Sequence, residues 1–427
     1  MKLIDARKLD ADLLEEITTR PAIDNATTLE VAGSILRNIK LRGIEALLEF
    51  AVRYDNFKRD SIRVTEEEIA EAENLLSEKE KAAIQAAYDN IFDFHRLQMP
   101  YDFSNETIPG VVCERRWLPI DSVGLYIPGG TAILPSTVLM LGVPAMIAGC
   151  KRVVLATPAS EKVHPAVLYA ASLCRINEIY AIGGAQAIGL LAYGVEGVAR
   201  VDKIFGPGNQ FVTAAKMVVA SQGTGCSIDM PAGPSEVLVI ADSSASPAFV
   251  AADLLSQAEH GADSQVILVT DSEALINSVA REIEKMIETL PRKNFIEKSL
   301  EWSRAILVNN IEEAFEVSNR YAPEHLIVNV EDSPAWKDKI TNAGSVFLGP
   351  WSPESAGDYA SGTNHSLPTS GYARSTGGVT VESFMKTVTF QTLSREGLES
   401  LAETVTTLAG IEGLDAHALA VTRRLEK

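Results

Sequence analysis

From residue 123 onward the chain alternates short apolar, β-branched runs with longer stretches of helical periodicity: VGLYI, RVVLAT, EIYAIG, KIFG, EVLVIAD, QVILVT, AILVN, HLIVNV and SVFLG. Runs of this length with no polar alternation suit strands buried on both faces, and the intervening helical stretches are the crossovers that parallel strands need. The pattern predicts an α/β fold with largely parallel sheets. The nine runs exceed one comfortable sheet, and the 427 residues exceed what one core holds, about 250–300. Two α/β units are therefore expected.

The first hundred residues read as helical. Thr65 with Glu68, and Ser77 with Glu80, have the spacing of a capping box, in which side chains satisfy the free amides of a helix start. The second of these helices runs through AAIQAAYDNIFDFHRLQ and stops before Pro100. Residues 352–378, SPESAGDYASGTNHSLPTSGYARSTGG, hold almost no large aliphatic residue, and a loop this long in a compact chain usually carries function. Helices return in SREGLESLAETVTTLAG and DAHALAVTRRLEK, a small terminal appendage.

The net charge of -19, from 57 acidic and 38 basic residues, repels phosphate backbones and argues against a nucleic-acid partner. No stretch is apolar enough to span a membrane, and MKLIDARKLDADLLEE has no secretory apolar run, so a cytoplasmic location is expected. The scattered Cys113, Cys150, Cys174 and Cys226 read as reduced, mostly buried thiols.

SPAFVAADLLSQAEHG reads as a helix with Ser246 at the N-cap, Pro247 in the first turn and Gly261 at the exit. Gln257 and His260, three apart, project from nearly one face, but spacing alone favours a histidine paired with the helix dipole over a metal ligand. Glu324 and His325 follow a helix-ending proline at the mouth of a buried strand, where an acid and an imidazole can divide proton transfers or simply face water. Asp358 and His365 stand in the Gly/Ser-rich loop. Glu412 and His417 flank the start of the last helix, which Asp415 can cap. Of six histidines, four (His260, His325, His365 and His417) are in polar or element-terminal settings. His95 and His164 read as a helix-face residue and a residue before a helix-starting proline. No G-x-G-x-x-G occurs; YIPGG at 126–130, IGGAQAIG at 182–189 and FGPGNQF at 205–211 are the nearest glycine turns, each of low specificity.

Taken in order, VGLYIPGG, VLMLGVPAMIAGC, GGAQAIG, KIFGPGN, DMPAGPSEVLVIAD, LLSQAEHG, PEHLI, AGSVFLG, WSPESAGDYASGTNH and LDAH closely resemble the histidinol dehydrogenase family over nearly the whole chain. The resemblance implies two successive NAD-dependent oxidations of L-histidinol through L-histidinaldehyde to L-histidine. It implies one Zn²⁺ per subunit on Gln257, His260, Asp358 and His417, a set of nitrogen and oxygen donors that zinc accepts, and so replaces the bland reading of Gln257 and His260. His325 would be the general base and Glu324 the group that activates water for the second oxidation. The metal ligands, with Ser235, His325, His365 and Glu412, would contact substrate, and Tyr126, Gln186 and Asn209 would contact NAD.

The architecture implied is two Rossmann-like α/β domains, one inserted in the other, with small N-terminal and C-terminal appendages and a homodimer with shared active sites. The expected pieces are 1–23; 24–125 with 237–379 as the main domain carrying metal and catalytic residues; 126–236 as the inserted domain; and 380–427 as a helical tail reaching the partner subunit. A relative acting on another amino alcohol would lack Glu412 with His365, and a scaffold without catalysis would lack Glu324 and His325; all four are present. Manganese or cobalt fits the same ligands.

Overall fold

All nine apolar runs form strands in the computed structural model, which describes residues 1–21, 26–129, 132–230 and 233–426. The boundary expected at residues 23–24, Gly130 of YIPGG, and Pro231 and Ala232 of the DMPAGPSEV run lie outside the described residues. In chain order the strands are β1 (Lys2–Asp5), β2 (Phe103–Ile108), β3 (Val111–Pro119), β4 (Ser122–Tyr126), β5 (Arg152–Thr157), β6 (Glu178–Ala181), β7 (Lys203–Phe205), β8 (Ser227–Ile228), β9 (Glu236–Ala241), β10 (Gln265–Thr270), β11 (Arg304–Leu307), β12 (His325–Asn329), β13 (Ser345–Leu348) and β14 (Met385–Leu393).

Two of the three sheets are wholly parallel. One has the order β1-β11-β10-β9-β12-β13, the other β6-β5-β4-β7-β8. Every residue of β9 and β10 is buried, as a strand covered on both faces requires. Helices Pro247–Ala258, Glu273–Ile287 and Lys293–Trp302 cover one face of the six-stranded sheet, and Ala11–Thr18 with Ile311–Tyr321 the other. The five-stranded sheet is sandwiched likewise: Glu78–His95, Pro135–Ala148 and Pro165–Leu173 lie on one face, and Ala26–Arg42, Ile44–Asp55, Gly184–Tyr193 and Gln210–Ser221 on the other. The chain reverses its direction of strand addition between β4 and β7 in one sheet and between β9 and β12 in the other. Those gaps are the switch points of doubly wound sheets.

The sequence reading did not anticipate β1 or the antiparallel sheet β14-β3-β2. Both capping boxes form as expected. The helices Arg395–Ile411 and Asp415–Leu425 pack on each other, the first also against β14, and the second buries no residue. Among the described residues no helix is long and apolar enough to cross a membrane.

Candidate active site

The helix Pro247–Ala258 follows β9 and runs back antiparallel to the strands, so its last turn returns to the end of the sheet where β9 and β12 begin. Glu236 opens β9, His325 opens β12 opposite Val237, and Glu324 precedes it. Ligands of open parallel sheets usually sit at the carboxyl ends of the strands; these groups gather at the amino ends. The helix Glu354–Tyr359, inside the Gly/Ser-rich loop, adds Glu354 and Asp358 one turn apart.

The Glu324 Oε2 accepts from the Glu236 backbone N–H at 2.9 Å and from Gln257 Nε2 at 3.4 Å. With its amide turned over, Gln257 satisfies both ends: its oxygen accepts from the Glu236 N–H at 2.9 Å and its nitrogen donates to Glu354. The His325 Nδ1 lies 3.2 Å from the Glu236 carbonyl, 3.6 Å from Glu324 and 3.9 Å from Glu354, and its Nε2 is 3.5 Å from Asp358 Oδ1. Donor atoms of His325, Glu354 and Asp358 all fall within 4.8 Å of one another. His325 Nε2 and Glu354 Oε2 are buried with no hydrogen-bond partner among the described residues.

So many acids in one buried place strain its electrostatics. Burial lifts the Glu324 carboxyl to about 8 against the pull of His325 and the Glu236 amide. Burial also lifts Glu354, and the neighbouring acids add to it. For His325 burial works against the charged form, yet Glu354, Glu324 and Asp358 outweigh it and raise the imidazole to about 10. Glu236 has its own cation: Arg20 pairs with it at 2.5 Å while lying 3.8 Å over the Tyr321 ring. Among the described residues no lysine or arginine pairs with Glu324, Glu354 or Asp358.

Other expected residues sit nearer or farther. His365 stands with Nδ1 2.9 Å from the Asp358 carbonyl and Nε2 3.2 Å from the Thr137 hydroxyl; burial lowers its pKa, so the neutral ring donates from Nδ1 and accepts at Nε2. Ser235, partly buried, directly precedes Glu236. His260 is exposed and lies beyond the helix end, its N–H reaching the Gln257 carbonyl at 3.2 Å, yet it feels the charges of Asp358 and His325. Ser246 takes the N-cap position without a side-chain bond to the helix. Glu412, in the turn between the terminal helices, and His417, on the last of them, are exposed and, among the described residues, have no hydrogen bond or ion pair to this cluster within the chain. His95 is fully buried, its Nδ1 2.9 Å from the Ile91 carbonyl, and His164 caps the helix Pro165–Leu173.

Tyr126 and Asn209 flank the other switch point, between β4 and β7, at the carboxyl ends of the five-stranded sheet. The Tyr126 hydroxyl accepts from Gly184 N–H at 3.1 Å, Gln186 Nε2 donates to Asp55 at 3.0 Å, and Asn209 caps the helix Gln210–Ser221. Glu354, Asp55 and Thr137 were not singled out in the sequence. Glu354 had one signal, its i,i+4 spacing from Asp358 on a helix; Asp55 had none.

A family model described as histidinol dehydrogenase matches residues 18–425. Histidinol dehydrogenase of Photobacterium profundum is 52% identical over 428 aligned residues, covering 100% of this chain and 96% of that protein. The enzyme of the same description from Vibrio vulnificus is 51% identical, covering 100% and 99%. The crystal structure of histidinol dehydrogenase from Elizabethkingia anophelis superposes with a TM-score of 0.94 at 47% identity, over 100% of this chain and 98% of that one. With a match that runs end to end in both sequence and fold, the chain belongs to the histidinol dehydrogenase family.

Proposed function

We propose that this chain oxidises L-histidinol to L-histidine in two NAD-dependent steps, through L-histidinaldehyde, at the cluster where β9 and β12 begin. Family membership makes it an oxidoreductase of histidine biosynthesis. The observation that carries the reading is the buried Glu324–His325 pair beside Glu354 and Asp358, acids that pair with no lysine or arginine among the described residues.

The residues fit a divalent metal. His325 Nε2 and Glu354 Oε2 are buried without a hydrogen-bond partner among the described residues, and nitrogen and oxygen donors converge. In this reading Gln257, His260 and Asp358 hold zinc together with His417 of the partner subunit. The one-chain alternative is His325, Glu354 and Asp358, and the metal content of His260→Ala against Glu354→Gln separates the two. When bound, zinc acts as a template for the amino alcohol and NAD as the hydride acceptor. The protein's own groups move the protons. His325 faces the Glu236 carbonyl through Nδ1, which leaves Nε2 to take the substrate hydroxyl proton. Crowding by carboxylates favours the protonated ring, and a cation held among them would reverse the effect and prepare it as a base. Glu324, lifted toward neutral pH by burial, activates the water that adds to the aldehyde.

The remaining assignments belong to the same proposal. Ser235, His365 and Glu412 of the partner subunit contact substrate, and Tyr126, Gln186 and Asn209 contact NAD. The chain works in the cytoplasm as a homodimer, without nucleic acid or membrane. As for domains, the packing of residues 26–95 on the five-stranded sheet supports joining those helices to the unit of residues 122–228. The test is to supply purified protein with L-histidinol and NAD, with and without a chelator, and identify the product. Histidine with two NADH per molecule is expected, and no NADH, or a product other than histidine, overturns the reading.

A further inference from the structure

Asp55 ends the helix Ile44–Asp55, held there by Asn56 in the left-handed conformation at φ 51°. Its Oδ2 accepts from the Gly183 N–H at 2.9 Å and from Gln186 Nε2 at 3.0 Å, while the Gly184 N–H goes to the Tyr126 hydroxyl at 3.1 Å. In an ordinary dinucleotide fold the amides opening such a helix face a pyrophosphate. Here the two amides opening Gly184–Tyr193 are taken by the chain's own carboxylate and phenol.

The glycines make the arrangement possible. At Gly183 a Cβ would come 2.5 Å from Pro158 and 3.0 Å from Asp55 Oδ1. At Gly184, with φ +60°, a Cβ would lie 2.8 Å from Gln186 Oε1. The Gln186 amide therefore folds back over Gly184 with its nitrogen tied to Asp55. Among the described residues no donor reaches its oxygen.

We propose that Asp55 is a positioning residue for the cofactor: by holding the Gln186 nitrogen it fixes the amide so that the oxygen faces the ligand. The contact then accepts from a hydroxyl or amide N–H, as on a ribose or a carboxamide, and does not serve a phosphate. This rests on the reading of Gln186 as an NAD contact. Because both N–H groups share Oδ2, Asp55→Asn keeps the acceptor with its carboxamide oxygen in that place, whereas Asp55→Ala removes it. With the acceptor gone, the Gln186 amide is free to turn over and offer the ligand a donor.

The test measures NAD affinity by calorimetry, KM for NAD and for L-histidinol, kcat and the thermal midpoint. Asp55→Ala is expected to weaken NAD binding and raise its KM about ten-fold, the scale of one hydrogen bond, with kcat and the histidinol KM within about two-fold, and Asp55→Asn to stay within about two-fold throughout. Adding Gln186→Glu to Asp55→Ala restores an acceptor and recovers most of the loss, and in a Gln186→Ala background Asp55→Ala adds nothing. If Gln186→Ala weakens NAD and Asp55→Ala does not, or the two effects add, the positioning role is overturned while the cofactor reading stands. If Gln186→Ala leaves NAD binding unchanged, the cofactor reading fails and takes this proposal with it. A fall of kcat, both affinities and the thermal midpoint together marks Asp55 as merely structural. Should Asp55→Ala fold poorly, Gln186→Glu beside native Asp55 reads the same contact; facing carboxylates weaken NAD about ten-fold, and unchanged affinity overturns the proposal.

Discussion

Glu324 and His325 are neighbours in sequence but meet different constraints: the acid is tied to the Glu236 amide, while the imidazole keeps a buried nitrogen with no hydrogen-bond partner among the described residues. Only one of them is then free to serve as base for the first proton. Glu324→Gln keeps the size and the hydrogen-bonding reach of the side chain but removes the carboxylate that activates water. The first hydride transfer is expected to change by no more than about three-fold, while aldehyde oxidation slows by roughly 10²–10⁴, the usual contribution of general base catalysis. Single-turnover measurement should find about one NADH per site where the native enzyme gives two, and equal slowing of both steps would refute the division of labour. These two residues were legible because a proline and a buried strand frame them. Glu354 was not, because an acid in the first turn of a helix ordinarily faces water and serves the helix dipole, and only the fold shows it 1% exposed.

At the scale of elements, what was legible follows burial. Strands covered on both faces, such as β9 and β10, announce themselves as unbroken apolar runs, whereas β2, β3 and β14 carry FSNETI, VVCERRWLP and MKTVTFQTL with few buried positions. β3 and β14 pair across long sequence separation, Trp117 with Thr387, and no local pattern encodes that partner. The switch point between β4 and β7 depends on Gly206, at φ +123°, where a Cβ would lie 2.0 Å from the Tyr126 carbonyl oxygen. Gly206→Ala should cost about 3 kcal/mol or more in denaturant unfolding, while Gly223→Ala, at φ +62° in open space, should cost only about 1 kcal/mol; similar losses at the two sites would refute the clash. In the helix Pro247–Ala258, burial raises the Asp253 carboxyl to about 7. Its folded pKa exceeds the unfolded value of about 3.9, so its contribution to stability is full below that pH and is lost as pH rises through about 7. Asp253→Asn should therefore stabilise the protein at pH 8 by on the order of 2 kcal/mol and by much less at pH 5. An identical gain at both would show that the charge is not the cause.

For the whole molecule, the terminal helices pose the question that one chain leaves open. Asp415–Leu425 buries no residue, Ile411 is 77% exposed, and Glu412 and His417 point to no group of the cluster within their own chain. Gln257 and Asp358, by contrast, are already gathered at the start of β9 and β12, with His260 exposed beside them. A tail that completes a second copy's site reconciles the two facts, and closed two-fold symmetry makes the exchange mutual. Chains carrying His260→Ala and chains carrying His417→Ala should each lose metal and activity while remaining folded, since the first residue lies past its helix and the second is exposed. When the two are unfolded and refolded together, random pairing makes half of the dimers mixed, each with one doubly damaged site and one intact site. About a quarter of native activity should return, with metal content rising in proportion. If each site takes all of its ligands from one chain, every site in the mixture stays damaged; heterodimers proved by mass spectrometry and yet inactive would show that the tail does not cross.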